Sequence, residues 1–304
     1  MKIPSDLRNY HAAQASEARR LYVESLTTAV ATEDWHRAKV ESRKQVFRAL
    51  KASDILRDIP GALSQSGSHL AIYRHLLAPP MSQDQFSLLC PEYPKRNEKN
   101  GTALNPVASD AVAKAILDGR DRTITEWLSS GNQPTVTQIR NLVRSVVPLL
   151  SLQIAATLRR NRLSAQQEGA VVDLLSGKGW TRQGSTLIAT LDTVQRRHFM
   201  HKARFATKTR PQEVDIACGL GNTTVLAMEC KVTNDETNSI KRINDVLKKA
   251  AAWHDHWGSF VRTAALLQGA IAIKDVERLL EAKVHVFWSH DLTAFEAWLE
   301  HELA

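Results

Sequence analysis

The chain has 304 residues, enough for two domains or for one domain with a large extension. Its apolar share of 43% and charged share of 24% are ordinary for a soluble globular protein, while 40 Lys and Arg against 32 Asp and Glu leave a net charge of +8 that favours a polyanionic partner. Three cysteines, odd in number and without metal-ligand spacing, argue against a disulfide framework and a zinc knuckle. No apolar run approaches membrane-spanning length and residues 1–5 do not begin a signal peptide, so the expected compartment is a reducing cytoplasm.

The first half reads as mainly helical. Residues 7–30 place Leu7, Tyr10, Ala15, Ala18, Leu21, Tyr22 and Leu26 at helical spacing, and residues 35–50 repeat the pattern with many basic positions. Residues 56–77 are expected to be broken at Pro60-Gly61. Ser82 with Gln85 three residues on has the form of a capping box. The stretch 90–101 carries two prolines, Tyr93, Lys95, Arg96 and asparagines, and reads as a long polar loop. Its Arg, Lys and Asn could read base edges, although a mobile surface loop has the same composition. Short helices are predicted over 107–117 and 123–128, then a longer one over 135–160, kinked at Pro148 and closed by Arg159-Arg160-Asn161-Arg162.

The second half changes character. Ser164-Ala165-Gln166-Gln167 fits a helix start, and that helix should end at Gly177-Lys178-Gly179. A basic stretch with interleaved Phe199 and Phe205 contains Arg204, Lys208 and Arg210, residues suited to phosphate contacts. It leads into two alternating apolar runs, 211–218 and 224–232, joined by Gly219-Leu220-Gly221-Asn222, which predicts a β-hairpin. A helix over 239–256 follows, with Lys241 and Arg242 placed just after the hairpin to clamp a backbone or simply to be solvated. A buried strand over 264–273, a helix over 275–281, a strand over 284–288 and a closing helix over 291–303 complete the chain.

The hairpin is where the chemistry concentrates. In a strand, side chains switch faces at every residue, so Glu229 and Lys231 share a face with Val225 and Ala227, while Leu226, Met228, Cys230 and Val232 take the other. A turn centred near Asn222 sets Asp215 opposite or diagonal to Glu229, roughly 5–8 Å away. Two carboxylates held that close require a positive charge, which a hard cation such as Mg²⁺ supplies through one or two carboxylates, a carbonyl and retained waters. Lys231 would hold or deprotonate the attacking water, or neutralise charge on a phosphate. A surface hairpin with a solvated Glu and Lys would show the same three residues.

The Asp215, Glu229-Cys230-Lys231 pattern resembles the PD-(D/E)xK nuclease superfamily, over roughly residues 164–304. Val214 stands where that motif has proline. The continuation 231–253 and the later Phe287-Trp288-Ser289-His290-Asp291-Leu292 resemble, more narrowly, the XamI-like restriction endonucleases. The resemblance implies an α/β fold with a restriction-endonuclease-like mixed sheet core flanked by helices. It implies Asp215 and Glu229 as Mg²⁺ ligands with the Cys230 backbone carbonyl, Lys231 as the water-activating lysine, and an acidic residue on the preceding helix, which Glu168 fits. The expected organisation is a helical recognition or dimerisation region over 1–162 and a catalytic domain over 163–304. The expected activity is Mg²⁺-dependent, site-specific hydrolysis of double-stranded DNA by a homodimer. A modification-dependent or repair nuclease with the same site, and a non-catalytic basic DNA-binding protein, are the alternatives.

Overall fold

A computed structural model describes residues 3–221 and 223–304, with the side chain of Asn238 also outside the description. Met1, Lys2 and the turn residue Asn222 therefore lie outside the described residues. The helices are α1 (Ser5–Glu24), α2 (Ala29–Ala52), α3 (Ile59–Gln65), α4 (Leu70–Tyr73), α5 (Gln83–Leu89), α6 (Lys95–Asn100), α7 (Pro106–Gly119), α8 (Trp127–Ser130), α9 (Val136–Gly177), α10 (Glu236–Trp257), α11 (Ile273–Glu281) and α12 (Thr293–Leu303). The strands are β1 (Thr181–Gln183), β2 (Leu187–Ile188), β3 (His198–Phe205), β4 (Gln212–Gly219), β5 (Val225–Thr233), β6 (Val261–Gly269) and β7 (His285–Trp288). Contacts divide them into two compact units: Ala29–Arg159, and Met1–Thr28 together with Arg160–Ala304.

The first unit is helical. Leu56, Ile59, Leu63, Leu70, Tyr73, Phe86, Trp127, Leu142, Val146 and Leu150 build one core. Pro60-Gly61 starts a helix instead of breaking one: Pro60 sits in the first turn of α3, where its missing N–H costs nothing, and Asp58 accepts from the Gly61 N–H. The capping box at Ser82 and Gln85 is present. The expected loop 90–101 is partly ordered, because α6 forms over Lys95–Asn100 and delivers Glu98 to a buried pair with Arg74 at 3.1 Å. The Tyr93 hydroxyl donates to the same carboxylate. The helix expected over 123–128 is reduced to the single turn of α8.

α9 is one continuous helix where two were expected. Nothing between Arg160 and Ser164 terminates a helix, and Ser164 does not cap: its hydroxyl donates to Glu168 Oε1 one turn later, at 3.3 Å. By length and composition α9 could cross a membrane, contrary to the expectation from the sequence. Leu142, Val146 and Leu150 are instead buried in the helical core.

The second unit is built on a mixed sheet. Among the described residues its order is β1-β3-β4-β5-β6-β7, with β2 also paired to β3. β3, β4 and β5 form an antiparallel meander, and β5, β6 and β7 run parallel, joined by α10 and α11 as the crossovers that parallel pairing requires. The resulting α/β fold, a mixed sheet flanked by helices and preceded by a helical region, is the expected one. The two faces of β5 separate as the alternation predicts. Leu226, Met228 and Cys230 pack with Val171 and Leu175 of α9 and Phe295 and Leu299 of α12. Val225 and Ala227 pack with Trp253 of α10. Every residue of β5 is buried, including Glu229 and Lys231, so these two charges must find partners inside the protein.

Candidate active site

The hairpin register is Ile216↔Met228, Ala217↔Ala227, Cys218↔Leu226 and Gly219↔Val225. One step further brings Asp215 alongside Glu229, the opposition that the sequence pattern implies. There the ladder gives way to a side-chain contact: Asp215 Oδ2 accepts from the Cys230 N–H at 2.8 Å. The N–H and C=O of one strand residue point to the same side, so the Cys230 carbonyl is turned toward Asp215 as well.

Glu229 is fully buried. Lys231 Nζ donates to its Oε2 at 2.6 Å, and Lys249 Nζ, from α10, donates to the same oxygen at 2.8 Å. Asp245, one turn before Lys249, lies 3.2 Å from Lys231 Nζ. Burial pushes the Glu229 carboxyl up, against the pull of the two lysines. Burial also works to lower Lys231, but the Glu229 and Asp215 carboxylates outweigh it and raise that ammonium above its ordinary value. Asp215 goes the other way: burial would raise it, and the Lys202 ammonium with the Cys230 N–H holds it below the usual carboxylate value.

Glu168 joins this group from α9. Its Oε1 accepts from Lys202 Nζ at 2.7 Å, and Lys202 also donates to Asp215 Oδ1 at 2.6 Å. His201 Nε2 stands 2.7 Å from Glu168 Oε2. The structure thus brings Asp215, Glu229, Lys231, the Cys230 backbone and, through Lys202, Glu168 into one constellation. It adds four residues to which the sequence pattern alone gave no place in the site: His201, Lys202, Asp245 and Lys249. Lys202 had a signal, since an antiparallel strand before β4 puts it level with Asp215. Lys249 and Asp245 had a weaker one, a spacing of four on one face of an amphipathic helix.

Mg²⁺ fits this donor set. Glu229 Oε1 is buried with no hydrogen-bond partner in the protein, the cost of which a hard cation would remove. Among the described residues no three His, Cys, Asp or Glu side chains stand together as a metal cluster. Mg²⁺ needs no such cage, because it keeps several waters and uses one or two carboxylates.

The basic residues lie in several places. Lys241 and Arg242 line a pocket of about 580 Å³ with Arg160, Asn234, Lys248 and Asp245, which connects it to Lys231. Arg204 on β3 is exposed beside its register partner Glu213. Lys208 is paired with exposed Asp255 at 2.8 Å, and Arg210 is exposed. In the helical unit Lys95 is paired with Asp84 at 2.6 Å, and Arg96 is exposed on α6.

The family model described as XamI restriction endonuclease matches residues 54–288, a span that contains every residue of the constellation. The chain belongs to the XamI restriction endonuclease family. The type II restriction enzyme XamI of Xanthomonas campestris pv. amaranthicola is 30% identical over 191 residues, which are 61% of this chain and 66% of that enzyme. The match therefore spans just under two thirds of that XamI relative. A crystal structure of protein VC1899 from Vibrio cholerae covers 91% of this chain and 58% of its own at 11% identity, with a TM-score of 0.31, too low to bear on the fold of a XamI family member.

Proposed function

We propose that this XamI family member is a Mg²⁺-dependent type II restriction endonuclease that hydrolyses double-stranded DNA through a PD-(D/E)xK-type site. The observation that carries the reading is the convergence of Asp215, Glu229 and Lys231 at the level where the β4–β5 ladder ends. Asp215, Glu229 and the Cys230 carbonyl would hold Mg²⁺, and Glu168 would assist. When bound, the ion supplies charge neutralisation at the phosphate and a more acidic water.

In the metal-free protein the Glu229 and Asp215 carboxylates raise the Lys231 ammonium above its ordinary value. Beside a bound ion Lys231 would hold or deprotonate the attacking water, or donate to charge developing on the phosphate. Glu229 fixes that ammonium from Oε2, and Lys249 fixes Glu229. The DNA backbone would be held by the pocket formed by Lys241, Arg242, Arg160 and Lys248, with further contacts from Arg204, Lys208 and Arg210; within the helical unit by itself, Lys95 and Arg96 are the candidates for phosphate contacts. The surface pairs of Lys208 and Lys95 are worth little and release readily to a phosphate. Cutting both strands of a palindrome calls for two sites, hence a homodimer.

Incubation with unmodified plasmid DNA in Mg²⁺ or EDTA tests the reading. Discrete Mg²⁺-dependent bands are expected, and Glu229→Ala or Lys231→Ala should abolish them while DNA binding persists. Cleavage confined to modified DNA, binding without cutting, or undiminished cutting by either variant would overturn it.

A further inference from the structure

Lys202 has an unusual backbone. Its φ is +60°, a left-handed conformation that a long L side chain rarely adopts. The flanking register, His201↔Ile216 and Ala203↔Val214, sets Lys202 level with Asp215 in the middle of a paired strand. A regular strand would send His201 and Lys202 to opposite faces. Both nevertheless reach Glu168, His201 at Oε2 and Lys202 at Oε1, each at 2.7 Å. Local strain that survives in a well-paired strand points to a use for the geometry it creates.

Here that geometry puts one ammonium between two carboxylates. Asp215 keeps Oδ2 on the Cys230 N–H, which leaves Oδ1, and Lys202 occupies Oδ1 at 2.6 Å. Glu168 is taken up by Lys202 and Ser164 at Oε1 and approached by His201 at Oε2. The carboxylates of Glu168 and Asp215 are nearly buried, whereas the Lys202 side chain is 52% exposed. Its ammonium can withdraw into water without leaving the strand.

We propose that Lys202 is a built-in counter-cation, holding Glu168 and Asp215 assembled in the metal-free protein and competing with a divalent cation for Asp215 Oδ1 and Glu168 Oε1. The proposal rests on the metal-site reading above. It makes Lys202 a positioning residue that sets the threshold of metal binding and keeps like charges from driving β4 and α9 apart.

Calcium binding by titration calorimetry, with thermal melts of the same samples, tests it without reference to cleavage. Lys202→Met keeps the stem and removes the charge; Lys202→Gly also removes the strain; Lys202→Arg keeps the charge. Both neutral variants should bind Ca²⁺ roughly tenfold more tightly than wild type, melt lower without it, and recover most of the difference at saturating Ca²⁺. Lys202→Arg should stay near wild type. Wild type that binds Ca²⁺ with neutral variants that bind no better overturns the inference and leaves the metal site standing. Neutral variants that melt lower by an equal amount with and without Ca²⁺ overturn it in the same way. If neither wild type nor the variants bind, the metal reading fails and the inference with it.

Discussion

Lys249, on α10, donates to the same Glu229 oxygen as the strand lysine Lys231, so one buried carboxylate is held by two ammonium groups from different elements. The arrangement assigns them different weights. Lys231 sits two residues from Glu229 on the same strand face, beside Asp215; Lys249 reaches in from the helix behind it. Replacing Lys249 by Met should lower single-turnover cleavage by about 10- to 100-fold, the usual cost of a residue that orients a ligand. It should also cost about 2 kcal/mol in urea unfolding, since Glu229 keeps one partner. Cleavage equal to wild type would show that Lys249 has no part in fixing Glu229.

The opposite shifts of Asp215 and Glu229 give the metal-free protein a distinctive pH dependence. Asp215 is depressed in the fold, so its contribution is present above the ordinary value of 3.8 and is lost as pH falls through the lower folded value. Glu229 is raised, so its contribution is fully present below 4.5 and declines as pH rises through the higher folded value. Stability curves for wild type, Asp215→Asn and Glu229→Gln in EDTA check this. The wild-type advantage over Asp215→Asn should grow from acid toward neutral pH, and that over Glu229→Gln should shrink.

A substitution in the pocket beside Lys231 tests its proposed phosphate contacts separately from sequence reading. Lys248→Ala should weaken binding to cognate and unrelated duplexes alike and reduce the slope of log K against log salt by about one, the signature of a lost phosphate contact. Fluorescence anisotropy over a salt series measures both. A loss confined to the cognate sequence would assign Lys248 to base readout instead.

Gly269 ends β6 at φ +98°, and a Cβ there would lie 2.0 Å from the Thr233 carbonyl oxygen at the end of β5. Gly269→Ala combines an unfavourable dihedral with a backbone clash and should cost about 3 kcal/mol. A denaturation midpoint matching wild type would mean that the two strand ends separate more readily than their register indicates.

The parts of the site readable from sequence were those governed by a simple period. Alternation placed Glu229 and Lys231 on one face and the turn length placed Asp215 beside them, because strand side chains switch faces at each residue and a hairpin register follows from its loop. Lys202 escaped because its level with Asp215 follows only once β3 is paired to β4, and its partner Glu168 comes from a distant helix. The same limit appears in the helices. Ser164 has the local form of a cap, yet a cap requires the preceding residues to leave helical geometry, and Arg160 to Leu163 had no reason to do so. In the stretch 90–101, polar composition concealed a buried pair, since Glu98 becomes a core residue only once Arg74 and Tyr93 are in place to receive it.

β5 is paired on both sides and buried at all nine positions. The amides of Glu229 and Lys231 therefore belong to the part of the chain that exchanges hydrogen only when the whole sheet opens. The strand that carries Glu229 and Lys231 would not loosen by local fraying: its geometry would persist up to the unfolding transition and vanish together with the fold.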